Sequence, residues 1–193
     1  METATRTRVL KAALALFTES SVEATRTSDI CARAGISNGS LFHAFPSKDA
    51  IAAALYLDAI ATYQAALLSA LKDAPSTEAA LRAVVTAQCR WAEEGAEARF
   101  LFSFGRGITG ETARRTGERN RLMAAAVEAW RGEPAQAGRL RPMPIATFLA
   151  ILIGPSLMAI RAWLGRAGDP PSLQAAAFAD AAVHSLMLEQ AHA

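Results

Sequence analysis

The stretch Thr27–Ile51, TSDICARAGISNGSLFHAFPSKDAI, decides the fold. Ile30 and Ala34 stand four apart and share one face of a short helix. Gly35 follows at once, where helices commonly end in a left-handed residue. Ser37 suits an N-cap, since its hydroxyl accepts an orphan backbone N–H of the next turn. Counted from that cap, Ile36 and Leu41 hold the two positions of a hydrophobic staple. Stop, three-residue turn and capped restart predict a helix-turn-helix.

The second helix of this unit carries Asn38, Gly39, Ser40 and His43, small or hydrogen-bonding, beside apolar Leu41 and Phe45. An amide, a hydroxyl and an imidazole read base edges, and Gly39 lets the backbone approach closely. The same pattern also fits a solvated helix with one buried side, and spacing alone leaves both readings open.

Residues Arg8 to Ile51 resemble the DNA-binding domain of the TetR family of bacterial transcriptional regulators. The resemblance lies in the unbroken run Ala34, Gly35, Ile36, Ser37, Asn38, Gly39, Ser40, Leu41, Phe42, His43, Ala44, Phe45, Pro46, Ser47, Lys48, with Ala12, Ala13, Leu16 and Phe17 upstream. It departs from the family pattern at Phe42 for Tyr, Ala44 for His or Tyr, Ser21 for Gly and Arg26 for a small hydroxyl residue.

The resemblance implies an all-α protein. A DNA-binding domain would span 1–47, and a ligand-binding and dimerisation domain 48–193. Thr27, Ser28 and Lys48 would contact phosphates, while Ser37, Asn38, Gly39, Ser40, Phe42 and His43 would face double-stranded DNA. The last two helices would pair two copies into a homodimer on a pseudo-palindromic site. A small-molecule effector would release the DNA through the fourth helix, most commonly from a repressor.

Composition agrees with a helical regulator and limits its electrostatics. The chain has 193 residues, 52% hydrophobic, with only 12 Gly and 8 Pro. Its net charge is +2. Residues 1–50 hold six Lys or Arg against five Asp or Glu, a net +1. Non-specific affinity comes from neutralised phosphates, so one such head binds modestly and two bind better. Cys31 and Cys89 have no metal-ligand spacing and read as reduced core thiols of a cytoplasmic protein. The first residues hold no apolar core typical of a signal peptide. The longest apolar run, 145–160, has 16 residues. That is short of the roughly 20 a membrane span needs, and it reads as a buried helix.

Caps and breaks lay out the rest. Residues 1–5 read as loose, and the first helix as Arg6–Glu19. Arg6, Arg8 and Lys11 either touch the DNA backbone or are solvated. Thr25 or Thr27 is the expected cap of the second helix. Ser47 caps a fourth helix running to about Lys72, and Ser76 or Thr77 caps the next. Lys48 then sits against the helix dipole, which a DNA phosphate would explain. Further helices are expected near 77–94, 97–105, 111–131, 143–165 and 172–191.

Trp91, Phe100, Phe104, Met123, Trp130 and Phe148 are candidate ligand-cavity residues, since such sites are apolar with a few polar groups. They equally suit an ordinary core. Gln88, Arg90, Arg99, Ser103 and Arg106 would orient a ligand, an apolar molecule that is aromatic or acyl-bearing. Arg161, Asp180 and Glu189 either set dimer register or lie on its rim. No nucleophile elbow, zincin, P-loop or dinucleotide motif occurs, and His184 and His192 stand isolated, so no enzyme, cofactor or metal is expected. A helical binding protein without specific DNA affinity is the alternative reading.

Overall fold

In a computed structural model, which describes residues 2–104 and 108–188, nine α-helices follow one another. They are α1 (Glu2–Glu19), α2 (Thr27–Ala34), α3 (Asn38–Ala44), α4 (Lys48–Lys72), α5 (Thr77–Glu93), α6 (Ala96–Phe104), α7 (Gly110–Arg131), α8 (Ile145–Leu164) and α9 (Ala175–Leu186). Arg106, Glu189 and His192 lie outside the described residues. The all-α expectation holds, and the expected helices fall near the breaks and caps that placed them, except the last: it runs only over Ala175–Leu186, against an expected 172–191, because Met187 turns extended and bridges to Leu140. α1 begins at Glu2 rather than Arg6, so the loose start expected for the first residues is not found.

Several ends are fixed as their side chains predict. Gly35 is left-handed at φ 63° and ψ 45°. Ser37 accepts from Ser40 N at 3.2 Å, Ser47 from Ala50 N at 3.1 Å and Ser76 from Ala79 N at 3.2 Å. The start of α2 differs from expectation. Its N-cap is Arg26, whose backbone N–H donates to the Asp29 carboxylate at 3.4 Å. Thr25 instead turns its hydroxyl back to Ser21 O at 2.7 Å and is buried. An acid at the third helical position satisfies the same orphan donor from the other side, and no threonine cap is needed.

The described chain divides into two compact units. The first comprises residues 1–60 and 95–116. Here α2, α3 and α6 pack on α1 around Val9, Ala13, Phe17, Ile30, Leu41, Phe45 and Ile51. An aromatic row crosses this unit: Phe17 stacks on Phe100 at 5.8 Å, Phe100 on Phe104 at 5.0 Å, and Tyr56 lies 6.0 Å from Phe104.

The second unit comprises residues 61–94 and 117–193, with α5, α8 and α9 packed together. Arg82 bridges Glu78 and Asp180, tying α5 to α9. Past α9, an isolated antiparallel bridge joins Leu140 and Met187. α8 buries one stripe, Phe148, Leu152, Ser156 and Ile160. Within one chain it is therefore not the wholly buried helix its composition suggested, and Met158 stands 64% exposed. At 20 residues it also outruns the apolar segment read from the sequence. By length and composition α4 and α8 are each sufficient to cross a membrane.

Candidate nucleic-acid interface

α3 is held in place by contacts that leave its outer face free. Leu41 and the following Phe45 are its buried anchors, at 0% and 2% exposure. Asn38, Gly39, Ser40, Phe42 and His43 all face solvent, and so does the cap Ser37. Ser37 and Ser40 hydroxyls lie 3.0 Å apart, so one of them is partly engaged with the other. Phe42 is 50% exposed, so part of its ring presents apolar surface beside these polar groups. A Cβ built on Gly39 would meet only the Ser37 hydroxyl, at 3.8 Å, so this position is open toward any approaching surface.

Arg6, from α1, braces the far end of α3. Its guanidinium lies 4.1 Å from the Phe45 ring centroid and donates to Ala44 O at 3.3 Å. A cation beside the last carbonyls of a helix also complements its dipole. The N-terminal end of α3 has a different brace. The Cys31 thiol on α2 donates to Asn38 Oδ1, with sulfur and oxygen 3.2 Å apart. Burial pushes the Cys31 thiol pKa up, so it keeps its proton at neutral pH.

Of the residues expected to touch phosphate, Thr27 is half-buried at the first turn of α2 and Ser28 is exposed beside Asp29, with its hydroxyl 3.4 Å from that carboxylate. Lys48 is already employed within the protein: Nζ donates to Thr25 O at 2.9 Å and Glu23 O at 3.0 Å. An ammonium has three donors, so one remains. Arg33 makes a two-pronged pair with Glu19, at 2.6 and 3.1 Å, which removes one cation from the head's effective charge. Arg8, Lys11 and Arg26 remain exposed.

The braces on Asn38, Phe45 and Lys48 were not legible in the sequence. Each joins residues from separate segments of the chain, and no spacing rule links Cys31 to Asn38 or Arg6 to Phe45. The only local hint was Lys48 itself, a cation in a first helical turn where the dipole disfavours it.

The residues expected to line a cavity are divided between the two units. Phe100 and Phe104 belong to the aromatic row of the first unit. Trp91 lies 5.1 Å from Tyr63, Phe148 sits beneath the Arg131 guanidinium at 4.6 Å, Trp130 is buried, and Met123 is half-buried, all in the second unit. Trp130 helps line a cavity of about 220 Å³ with Pro75, Thr77, Gln136 and Arg139. That is smaller than the roughly 300 Å³ at which ligand clefts begin.

Arg90, Arg99 and Ser103 are exposed. Gln88 is wholly buried between α5 and α8; its Nε2 donates to Ile153 O at 3.1 Å, and its Oε1 has no hydrogen-bond partner among the described residues. No group of three metal-binding side chains occurs among the described residues.

Residues 9–55 match the profile of bacterial regulatory proteins of the tetR family. Among curated proteins none matches the sequence. Solved structures resemble the chain over nearly its whole length. A bacterial regulatory protein in the tetR family from Rhodococcus RHA1 superposes with TM-score 0.77 at 20% identity, over 96% of this chain and 98% of that one. The TetR family transcriptional regulator PfmR from Thermus thermophilus gives 0.69 at 26% identity, over 95% and 96%. The transcriptional regulator FadR from Bacillus subtilis, solved in complex with stearoyl-CoA, gives 0.76 at 13% identity, over 92% and 97%.

Proposed function

Taking as premise that the chain belongs to the tetR family of bacterial regulatory proteins, we propose that it is a cytoplasmic, ligand-responsive transcriptional repressor, acting as a homodimer on a pseudo-palindromic operator. The observation that carries the DNA-binding part is α3. Its buried side is locked by Leu41 and Phe45, and its exposed side offers Asn38, Gly39, Ser40, Phe42 and His43.

In this reading α3 enters the major groove. Asn38, Ser40 and His43 meet base edges, and Phe42 meets a thymine methyl or sugar where a hydroxyl would have met phosphate. Ser37, Thr27, Ser28 and the remaining donor of Lys48 position the head on the backbone. With few free cations per head, useful affinity requires two heads at once, and operator symmetry follows the symmetry of the dimer.

The uncovered apolar side of α8 supports a dimer through α8 and α9. Only 22% of its most apolar window is buried by its own chain.

For the effector, the support is Gln88 and the fold's likeness to an acyl-CoA-bound regulator. A buried amide oxygen without a partner costs about 1–3 kcal/mol, which a bound polar group or water would recover. An apolar, acyl-bearing molecule in the second unit fits these features. It would release DNA only to the extent that it binds the DNA-free form more tightly. No catalytic role is proposed.

Fluorescence anisotropy tests the reading directly. Fragments tiling the gene's upstream region are compared with a random duplex at fixed salt. Tight binding to one fragment, saturating at two protomers or a pair of dimers, is expected, followed by release on adding long-chain acyl-CoA. Weak and equal binding to all fragments, and to a library selected from random DNA, would sink the regulator.

A further inference from the structure

The thiol of Cys31 and the amide of Asn38 come from different helices and meet across the turn of the helix-turn-helix. Cys31 is 7% exposed, while Asn38 opens the exposed face of α3. A carboxamide is planar, with its acceptor oxygen and its two-hydrogen donor on opposite prongs. A donor that holds the oxygen inward therefore turns the nitrogen outward.

We propose that Cys31 is a positioning residue that fixes the Asn38 amide with its oxygen toward the protein, so that Asn38 meets DNA as a donor and selects guanine over adenine. The inference rests on the DNA-binding reading above and adds a base preference to it.

A freely rotating asparagine favours adenine, because its oxygen takes the N6 amine while its nitrogen reaches N7. With the oxygen turned inward to the thiol, it no longer faces the adenine amine, which would be left a desolvated, unpaired donor. Guanine presents two acceptors, O6 and N7, side by side, and both can be met by the two N–H groups of one amide nitrogen. The buried thiol suits this task. It has room for one directed hydrogen bond, and at neutral pH it is a donor rather than a competing anion.

The test uses the full chain and selection from random duplexes, with Asn38→Ala first locating the half-site position where discrimination is lost. At that position the unaltered protein should prefer guanine over adenine. Cys31→Ala should lower the guanine-to-adenine ratio by about fivefold, the worth of one lost discriminating contact. Cys31→Ser, which restores a donor, should keep most of the preference. In an Asn38→Ala background, Cys31→Ala should change nothing at that position, a result that a general loosening of the head would not give. Thermal melts of each variant report folding separately.

Adenine preferred over guanine by the unaltered protein at this position overturns the proposal. So does a Cys31→Ala profile equal to the original. A protein that selects no sequence at all would instead remove the DNA-binding reading, and this inference with it.

Discussion

Lys48 reaches from the first turn of α4 to the backbone of Thr25, with Nζ and the carbonyl oxygen 2.9 Å apart. The same ammonium holds Glu23 O at 3.0 Å, so one cation closes the loop between α1 and α2. Lys48→Ala is therefore expected to act on stability as well as on DNA. Loss of two charge-assisted bonds at a half-exposed site should cost about 1–2 kcal/mol, lowering Tm by about 3–6 °C. If the third donor also meets phosphate, the slope of log affinity against log salt should fall by about one. A changed Tm with an unchanged slope would confine Lys48 to the loop.

The cap on α3 makes a narrower prediction. Ser37 accepts from Ser40 N, and its replacement by Ala should destabilise the protein by about 1 kcal/mol, whereas Gly should cost only a few tenths. Urea titrations of both variants check this. Equal effects would mean the hydroxyl is not acting as a cap.

On α8, Met158 projects from the face that its own chain leaves uncovered. If that face pairs two copies, Met158→Arg should shift the protein to monomer in analytical ultracentrifugation while leaving the helical content of the chain intact. Operator affinity should drop by more than about tenfold, because the two heads would then bind separately. A stable dimer in the variant would place the interface elsewhere.

Alkaline stability reports the second unit. Burial raises the Cys89 thiol from its ordinary 9.0 to about 11, with Glu93 adding to the shift. Burial raises the Tyr63 phenol too. The folded state thus holds these protons more tightly than the unfolded chain. Stability should be level below pH 9 and fall as pH rises from 9 to about 11, as the unfolded thiol ionises first. Chemical denaturation across this range checks the sign, and Cys89→Ala should soften the slope. Iodoacetamide at neutral pH should label Cys89 slowly in the folded protein and readily in urea.

What the sequence made legible was local. Gly35, Ser37, Ser47 and Ser76 act on backbone groups within four residues, and their chemistry specifies a helix end wherever they stand. The second half of the site depends on partners distant in sequence. Arg6 meets Phe45, and Phe17 meets Phe100, across separations that no periodicity encodes. Arg26 displaced the threonines as cap because Asp29 supplied the acceptor from inside the helix. The aromatics after residue 90 looked like one population, yet α6 carries three of them to the first unit while the others remain in the second. Helical spacing reports which face is apolar and is silent on what covers it.

Gly35 sets a filter on how this head can vary. Its φ of 63° lies where L-residues are strained, yet a Cβ built there would meet no atom within 4 Å beyond its chain neighbours. The obstacle is thus handedness and not room. Substitutions should rank by backbone preference alone, with Asn mildest and Val or Ile worst, while Ala, Leu and Lys cost alike, about 1–2 kcal/mol, despite their different volumes. Drift at this position is therefore blind to size, and a mirror-image alanine placed there by synthesis should be accepted where its natural counterpart is not.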